Sequence, residues 1–215
     1  MSAWNILLVD SSASMSSNEV SVNKGIIDLL MDQQDNKDRF TFLTFNTDVK
    51  YVIDSKFNEI NGDDIINSIV NTGLTALYDA VGHVYEMIND ECVENVTFTV
   101  ITDGCENSSK LHNLNSLKDL RETIDKKCNI NVSFICEDQN VLNNNSAIIS
   151  HANESCEVSG DYSEAFRTVS RNMSYVRRPS LVQSYSIECN NVSLSQPIVR
   201  RQQSYCEKKR PRLSF

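Results

Sequence analysis

The chain has no run of 18 apolar residues, so no membrane-spanning helix is expected. It has no basic start followed by an apolar stretch, and no secretory signal is expected. None of its seven cysteines forms a C-x-x-C pair, and their number is odd. They read as reduced thiols, which places the protein inside the cell, cytoplasmic or nuclear, and argues against zinc. Nucleotide-binding signatures are missing too: there is no P-loop and no G-x-G-x-x-G. No G-x-S-x-G elbow supplies a serine nucleophile. Proline and glycine are scarce and segregated. All three prolines lie at or after Pro179, and all six glycines at or before Gly160.

The charge divides at the same place. From Arg177 onward there are eight basic residues and two acidic ones, a net of +6. The chain total is −9, which leaves −15 on residues 1–176. This pattern predicts an acidic folded domain over 1–178 and a disordered, basic, Ser-rich tail over 179–215. The tail has Arg-x-x-Ser at Arg177/Ser180 and Arg201/Ser204, a spacing that suggests phosphorylation. Its Lys208-Lys209-Arg210-Pro211-Arg212 cluster resembles a nuclear-import signal. Nucleic acid is expected to bind only through this tail, because the acidic domain repels phosphate.

Within the domain, apolar periodicity alternates between strand and helix. Strands are expected at Asn5–Asp10, Arg39–Phe45, Val49–Ile53, Val96–Ile101, Ile130–Cys136 and Cys156–Val158. Asn46-Thr47-Asp48 joins the second and third as a hairpin. Val20, Ile26, Ile27, Leu30 and Met31 suggest a helical stripe, with Ser16-x-x-Glu19 as a capping box before it. Ile65, Ile66 and Ile69 mark a short helix, and Leu77, Ala80, Val81, Val84 and Ile88 a longer one. Leu117, Leu120 and Ile124, then Ala147–Ala152, then Phe166, Val169, Met173 and Val176 mark the remaining helices. The order predicts an α/β doubly wound, mostly parallel central sheet with one antiparallel edge strand and helices on both faces. In such sheets ligands bind beyond the carboxyl ends of the strands.

The opening strand, "NILLVDSSASM", ends in Asp10 and is followed by Ser12 and Ser14 at alternate positions. Thr75 opens a helix after Gly73, and Asp103 ends another apolar strand. Taken alone, Asp10, Ser12 and Ser14 read equally well as caps and turn formers. With Thr75 and Asp103 at the same rim, they form a set of oxygen ligands suited to a hard cation, Mg²⁺ or Mn²⁺. Two carboxylates neutralise the ion formally, and the hydroxyls add no charge. The ion therefore stays electrophilic toward an outside oxygen, such as the Asp or Glu of a partner protein.

These residues lie in "VDSSASM", "GLTALYDAVGHVYEMI" and "FTVITDGCENSS", which resemble the von Willebrand factor A domain and its metal-ion-dependent adhesion site, D-x-S-x-S … T … D. The resemblance, to stand-alone intracellular members, covers residues 4 to about 178. It implies a divalent-metal-dependent protein-interaction module with Asp10, Ser12, Ser14, Thr75 and Asp103 around the metal, and no enzymatic activity. Ala13 stands where such loops often carry Gly, and Leu74 where a small residue is usual. Alternatives are a metal-independent scaffold with a degenerate site, and tail-mediated nucleic-acid binding. Phosphotransfer and hydrolase readings fit less well. Ser11 follows Asp10 where a receiver domain needs a second acid, and Ser12 stands where a haloacid-dehalogenase-like phosphatase needs one. His112 is expected to be a solvated loop residue, Cys105 a small filler, and Glu106 a cap or solvated acid.

Overall fold

The structure, a computed structural model, describes residues 3–91, 93–136, 139–150, 152–157 and 162–176. The expected tail and the boundary at 178 lie outside the described residues. Among the described residues, no helix is long and apolar enough to cross a membrane.

Six strands form one sheet: β1 (Trp4–Asp10), β2 (Arg39–Phe45), β3 (Val49–Lys56), β4 (Asn95–Thr102), β5 (Asn129–Cys136) and β6 (Glu154–Glu157). Their spatial order is β3-β2-β1-β4-β5-β6. All neighbouring pairs are parallel except β2 with β3. The expected mostly parallel sheet with one antiparallel edge strand is thus observed.

β1 is buried along its whole length, which explains its unbroken apolar run. Ile6 and Leu8 face one core, with helices α3 (Leu77–Asp90), α4 (Leu114–Ile124) and α6 (Ser146–Ile149). Leu7 and Val9 face the other, with α1 (Glu19–Asp32) and α7 (Tyr162–Val176). β3, at the edge, has only half-buried and exposed positions. It runs three residues further than the expected Val49–Ile53. A short α2 (Gly62–Ile66) lies before the loop that leads into α3.

Two expectations about α1 are corrected. Val20 and Met31 are exposed, and the buried stripe is Val22, Ile26 and Leu29. Val22, Ile26 and Leu29 are spaced i, i+4, i+7 on one helical face, and Gly25 on that same face lies against the Phe166 ring of α7, which leaves Val20 and Met31 on the solvent side. The Ser16–Glu19 capping box does not form. Ala13–Ser17 is already a 3-10 turn, and Ser16 Oγ donates to Ala13 O. Asn18 takes the N-cap position, but its side chain does not cap the helix.

Near the C-terminal end, α5 (Gln139–Asn144) was not anticipated. The helix expected over Ala147–Ala152 is the shorter α6. The last strand, expected over Cys156–Val158, runs over Glu154–Glu157, and Val158 lies outside the described residues.

Candidate metal centre

The sheet order places β1 between β2 and β4, and the chain leaves β1 toward one face and returns to β4 from the other. The crevice between the carboxyl ends of β1 and β4 is therefore the topological switch point. Asp10 ends β1, and Thr102-Asp103 ends β4 beside it. The sequence thus delivers two carboxylates to the one place where such a fold opens a site.

Four local devices shape that site. Ser12 N–H donates 2.7 Å to Asp10 Oδ1, which folds the chain back immediately after the strand. The following 3-10 turn brings Ser14 Oγ to 3.1 Å from Ser12 Oγ and lets it donate 2.7 Å to Asp103 Oδ1. On the far side, the loop before α3 is tied down by Thr72 N–H to Ser11 O and Ala13 N–H to Gly73 O. Gly73 has φ +78°, a conformation that favours glycine. Thr75 is then held by reciprocal bonds: its N–H donates to Asn107 Oδ1, and Asn107 N–H donates to Thr75 O.

Gly104 completes the cradle. A Cβ placed there would stand 3.0 Å from Thr75 Oγ1 and 3.7 Å from Asp10 Oδ2. The missing side chain leaves these two oxygens facing a common space. Thr75 Oγ1 makes no hydrogen bond to another described residue, so its lone pairs are available. All five residues expected around a metal are thus brought to one rim: Asp10, Ser12, Ser14, Thr75 and Asp103.

The electrostatics are unusual. Asp10 is fully buried, and burial pushes its carboxyl up to about 6 despite hydrogen bonds from Thr102 and Ser12. Thr102 Oγ1 donates 2.6 Å to Asp10 Oδ2. Burial also raises Asp103, opposed by hydrogen bonds from Ser14 and Asn18. No Lys, Arg or His among the described residues pairs with either carboxylate. Two buried carboxylates side by side without a cation are costly, and a divalent ion removes that cost. The spacing suits one as well. Adjacent oxygens around octahedral Mg²⁺ at about 2.1 Å are separated by about 3 Å. The donor set therefore fits a hard cation.

Three supporting residues were not anticipated as parts of the site. Thr102 anchors Asp10, Asn18 donates 3.3 Å to Asp103 Oδ2, and Asn107 holds Thr75. Thr102 and Asn107 both lie in the stretch "FTVITDGCENSS" that holds Asp103, whereas Asn18 carried no sequence clue.

Glu106 is a cap, as one expectation had it. It accepts from Tyr78 N–H at the start of α3, from Ser108 and Ser109 N–H, and from Ser109 Oγ. His112 corrects another expectation. Its ring packs against Gly82 of α3, and its side chain is only 12% exposed. Gly82 has no Cβ and so admits the ring, which explains why a loop histidine is covered. It lies on the side of α3, toward Glu86, and is no part of the metal cradle.

Residues 6–106 match the family described as von Willebrand factor type A domain. Solved structures agree over a longer span.

The chain has a von Willebrand factor type A fold.

It superposes on the von Willebrand factor type A protein from Catenulispora acidiphila with a TM-score of 0.55 and 11% identity, covering 80% of this chain and 42% of that one. BatB from Bacteroides thetaiotaomicron gives a TM-score of 0.58 at 15% identity, covering 81% of this chain and 98% of that one. The pilus adhesin SpaC from Lactobacillus rhamnosus GG, in its open conformation, gives 0.61 at 12% identity, covering 80% and 30%. This chain thus spans less than half of two of these relatives. No curated protein matches it in sequence. At such identities the likeness concerns the A-type fold alone. It also gives the rim its frame of reference, since the cradle lies at the switch point of that fold.

Proposed function

We propose that this A-type domain binds Mg²⁺ or Mn²⁺ at Asp10, Ser12, Ser14, Thr75 and Asp103 and uses the ion to capture a carboxylate of a partner protein. The observation that carries this reading is the pair of buried carboxylates, Asp10 and Asp103, with no basic partner and three hydroxyls around them. The bound ion would supply a Lewis-acidic position for an outside oxygen. The chain's own residues do the rest. Thr102 and the Ser12 backbone fix Asp10, Asn18 orients Asp103, and Asn107 sets Thr75. These neighbours act as the hydrogen-bonded support that metal ligands need. We read the domain as a binding module rather than an enzyme.

Titration calorimetry of the full chain with MgCl₂ tests this. One site is expected, and Ser12→Ala with Ser14→Ala should abolish it while circular dichroism stays native. A second reading, a metal-independent scaffold, draws on the contacts that already exist. Ser14 donates to Asp103 and lies against Ser12, so these groups satisfy one another without an ion. A titration without heat, and with no change in thermal stability, would favour that scaffold.

A further inference from the structure

Six large hydrophobic side chains are exposed among the described residues: Val20, Met31, Tyr51, Val70, Leu74 and Leu111. Single exposed apolar residues are ordinary, but a group at one place marks an interaction surface. Met31 lies at the far end of α1, and Tyr51 on the edge strand. The other four lie on segments next to the strand carboxyl ends: the start of α1, the loop before α3 and the loop after β4. Val20 is in the first turn of α1, just after the Ser12–Ser14 turn. Its neighbour Glu19 accepts from Asn71 Nδ2, which ties the start of α1 to the segment that carries Val70. Leu74 follows Gly73, whose carbonyl accepts from Ala13 N–H between the two serines. Leu111 is held over the start of α3 by Asp79, which accepts from the N–H groups of Lys110, Leu111 and His112. Val20 and Leu111 are each 83% exposed, so neither is serving the core.

We infer that Val20, Val70, Leu74 and Leu111 form an apolar collar that selects partner segments in which one Asp or Glu is flanked by a large aliphatic or aromatic residue. This rests on the carboxylate capture proposed above. Charge decides the chemistry of the occupant. Residues 1–176 carry −15, so an acidic run is repelled everywhere except at the ion. A single carboxylate with uncharged apolar neighbours meets the ion and the collar without that repulsion. Apolar flanks gain by covering the four side chains, whereas small polar flanks leave them in water. Specificity then comes from two unlike contacts set side by side, one ionic and one hydrophobic.

The test uses the full chain and a displayed peptide library with one fixed central Asp and random neighbours, selected in MgCl₂ and released by chelator. Leu, Ile, Phe or Met should be enriched next to the Asp, and further Asp or Glu depleted. For the best peptide, Leu74→Ser with Leu111→Ser should weaken binding about tenfold, the scale of losing the burial of one or two methylenes or more. The same variant should bind Mg²⁺ as the native chain does and keep its circular dichroism. Chelator-released peptides with no apolar preference, or with acidic flanks, would overturn the collar and leave carboxylate capture standing. Recovery that depends on neither the fixed Asp nor the chelator would remove carboxylate capture, and the collar with it.

Discussion

Ser14 Oγ donates a 2.7 Å hydrogen bond to Asp103 Oδ1, joining residues 89 positions apart. The contact closes the crevice between β1 and β4 and sets two oxygens at the spacing of neighbouring ligands on a small cation. Breaking it from the acid side should be informative. Asp103→Ala is expected to lower Mg²⁺ affinity by about 100-fold or more, on the scale of losses seen when ligands or their supports are removed. Titration calorimetry checks this, and undiminished affinity would place the ion elsewhere.

Asp10 predicts how the metal-free protein responds to pH. Its folded-state value, about 6, lies above its ordinary 3.8. The folded state therefore holds this proton more tightly than the unfolded chain does. The resulting stabilisation is present in full below about pH 4 and is lost as pH rises toward 6, a change of about 3 kcal/mol. Urea unfolding in chelator from pH 4 to 7 should show Asp10→Asn losing less stability over that interval than the native chain. Parallel curves for the two proteins would mean that Asp10 titrates normally.

Gly25 offers a test of packing against propensity. Alanine favours a helix over glycine by about 1 kcal/mol. At position 25, however, an added Cβ would collide with the Phe166 ring where α1 meets α7. Gly25→Ala is expected to destabilise the domain by about 1–3 kcal/mol, the usual cost of overpacking. Denaturant unfolding decides the sign, and a gain in stability would show that Phe166 moves aside freely.

At the opposite end of the sheet, Arg39 stacks over the Trp4 ring, with its guanidinium carbon 4.1 Å from the centroid. It also forms two 2.8 Å bonds to Asp54 and reaches Glu91 at 3.1 Å. These contacts join β1, β2, β3 and the end of α3. The site is partly exposed, so each contact is modest. Arg39→Ala should cost about 1–2 kcal/mol. Arg39→Lys should recover less than half of it, because the amine lacks the planar fork and the stacking face. Equal stability of the lysine variant and the native chain would reduce the interaction to plain charge.

Much of the fold was legible because burial repeats locally. β1 is covered on both faces and carries the unbroken apolar run Ile6–Val9, while β2, β4 and β5, also largely buried, set large apolar residues at alternate positions between small Thr and Ser side chains. In α3, Leu77, Ala80, Val81, Val84 and Ile88 all turn inward as their spacing requires. The five oxygen-bearing residues of the rim were legible for a related reason. Each lies at or just after a strand end or at the start of a helix, and a parallel sheet gathers those ends at one edge.

What the sequence by itself determined, then, is the order of the strands and of the long helices, and the edge of the sheet that carries Asp10, Ser12, Ser14, Thr75 and Asp103. Only the tertiary structure placed Gly25 inward, since it reads as a weak helix residue until Phe166 is seen against it. It also decided that Asn18 serves Asp103 rather than its own helix, that Asn107 holds Thr75, and that His112 is covered by α3. The physical reason is common to all of them. Periodicity records what each segment buries on average, whereas these contacts join side chains from distant segments, and their partners are set only when the sheet brings the segments together.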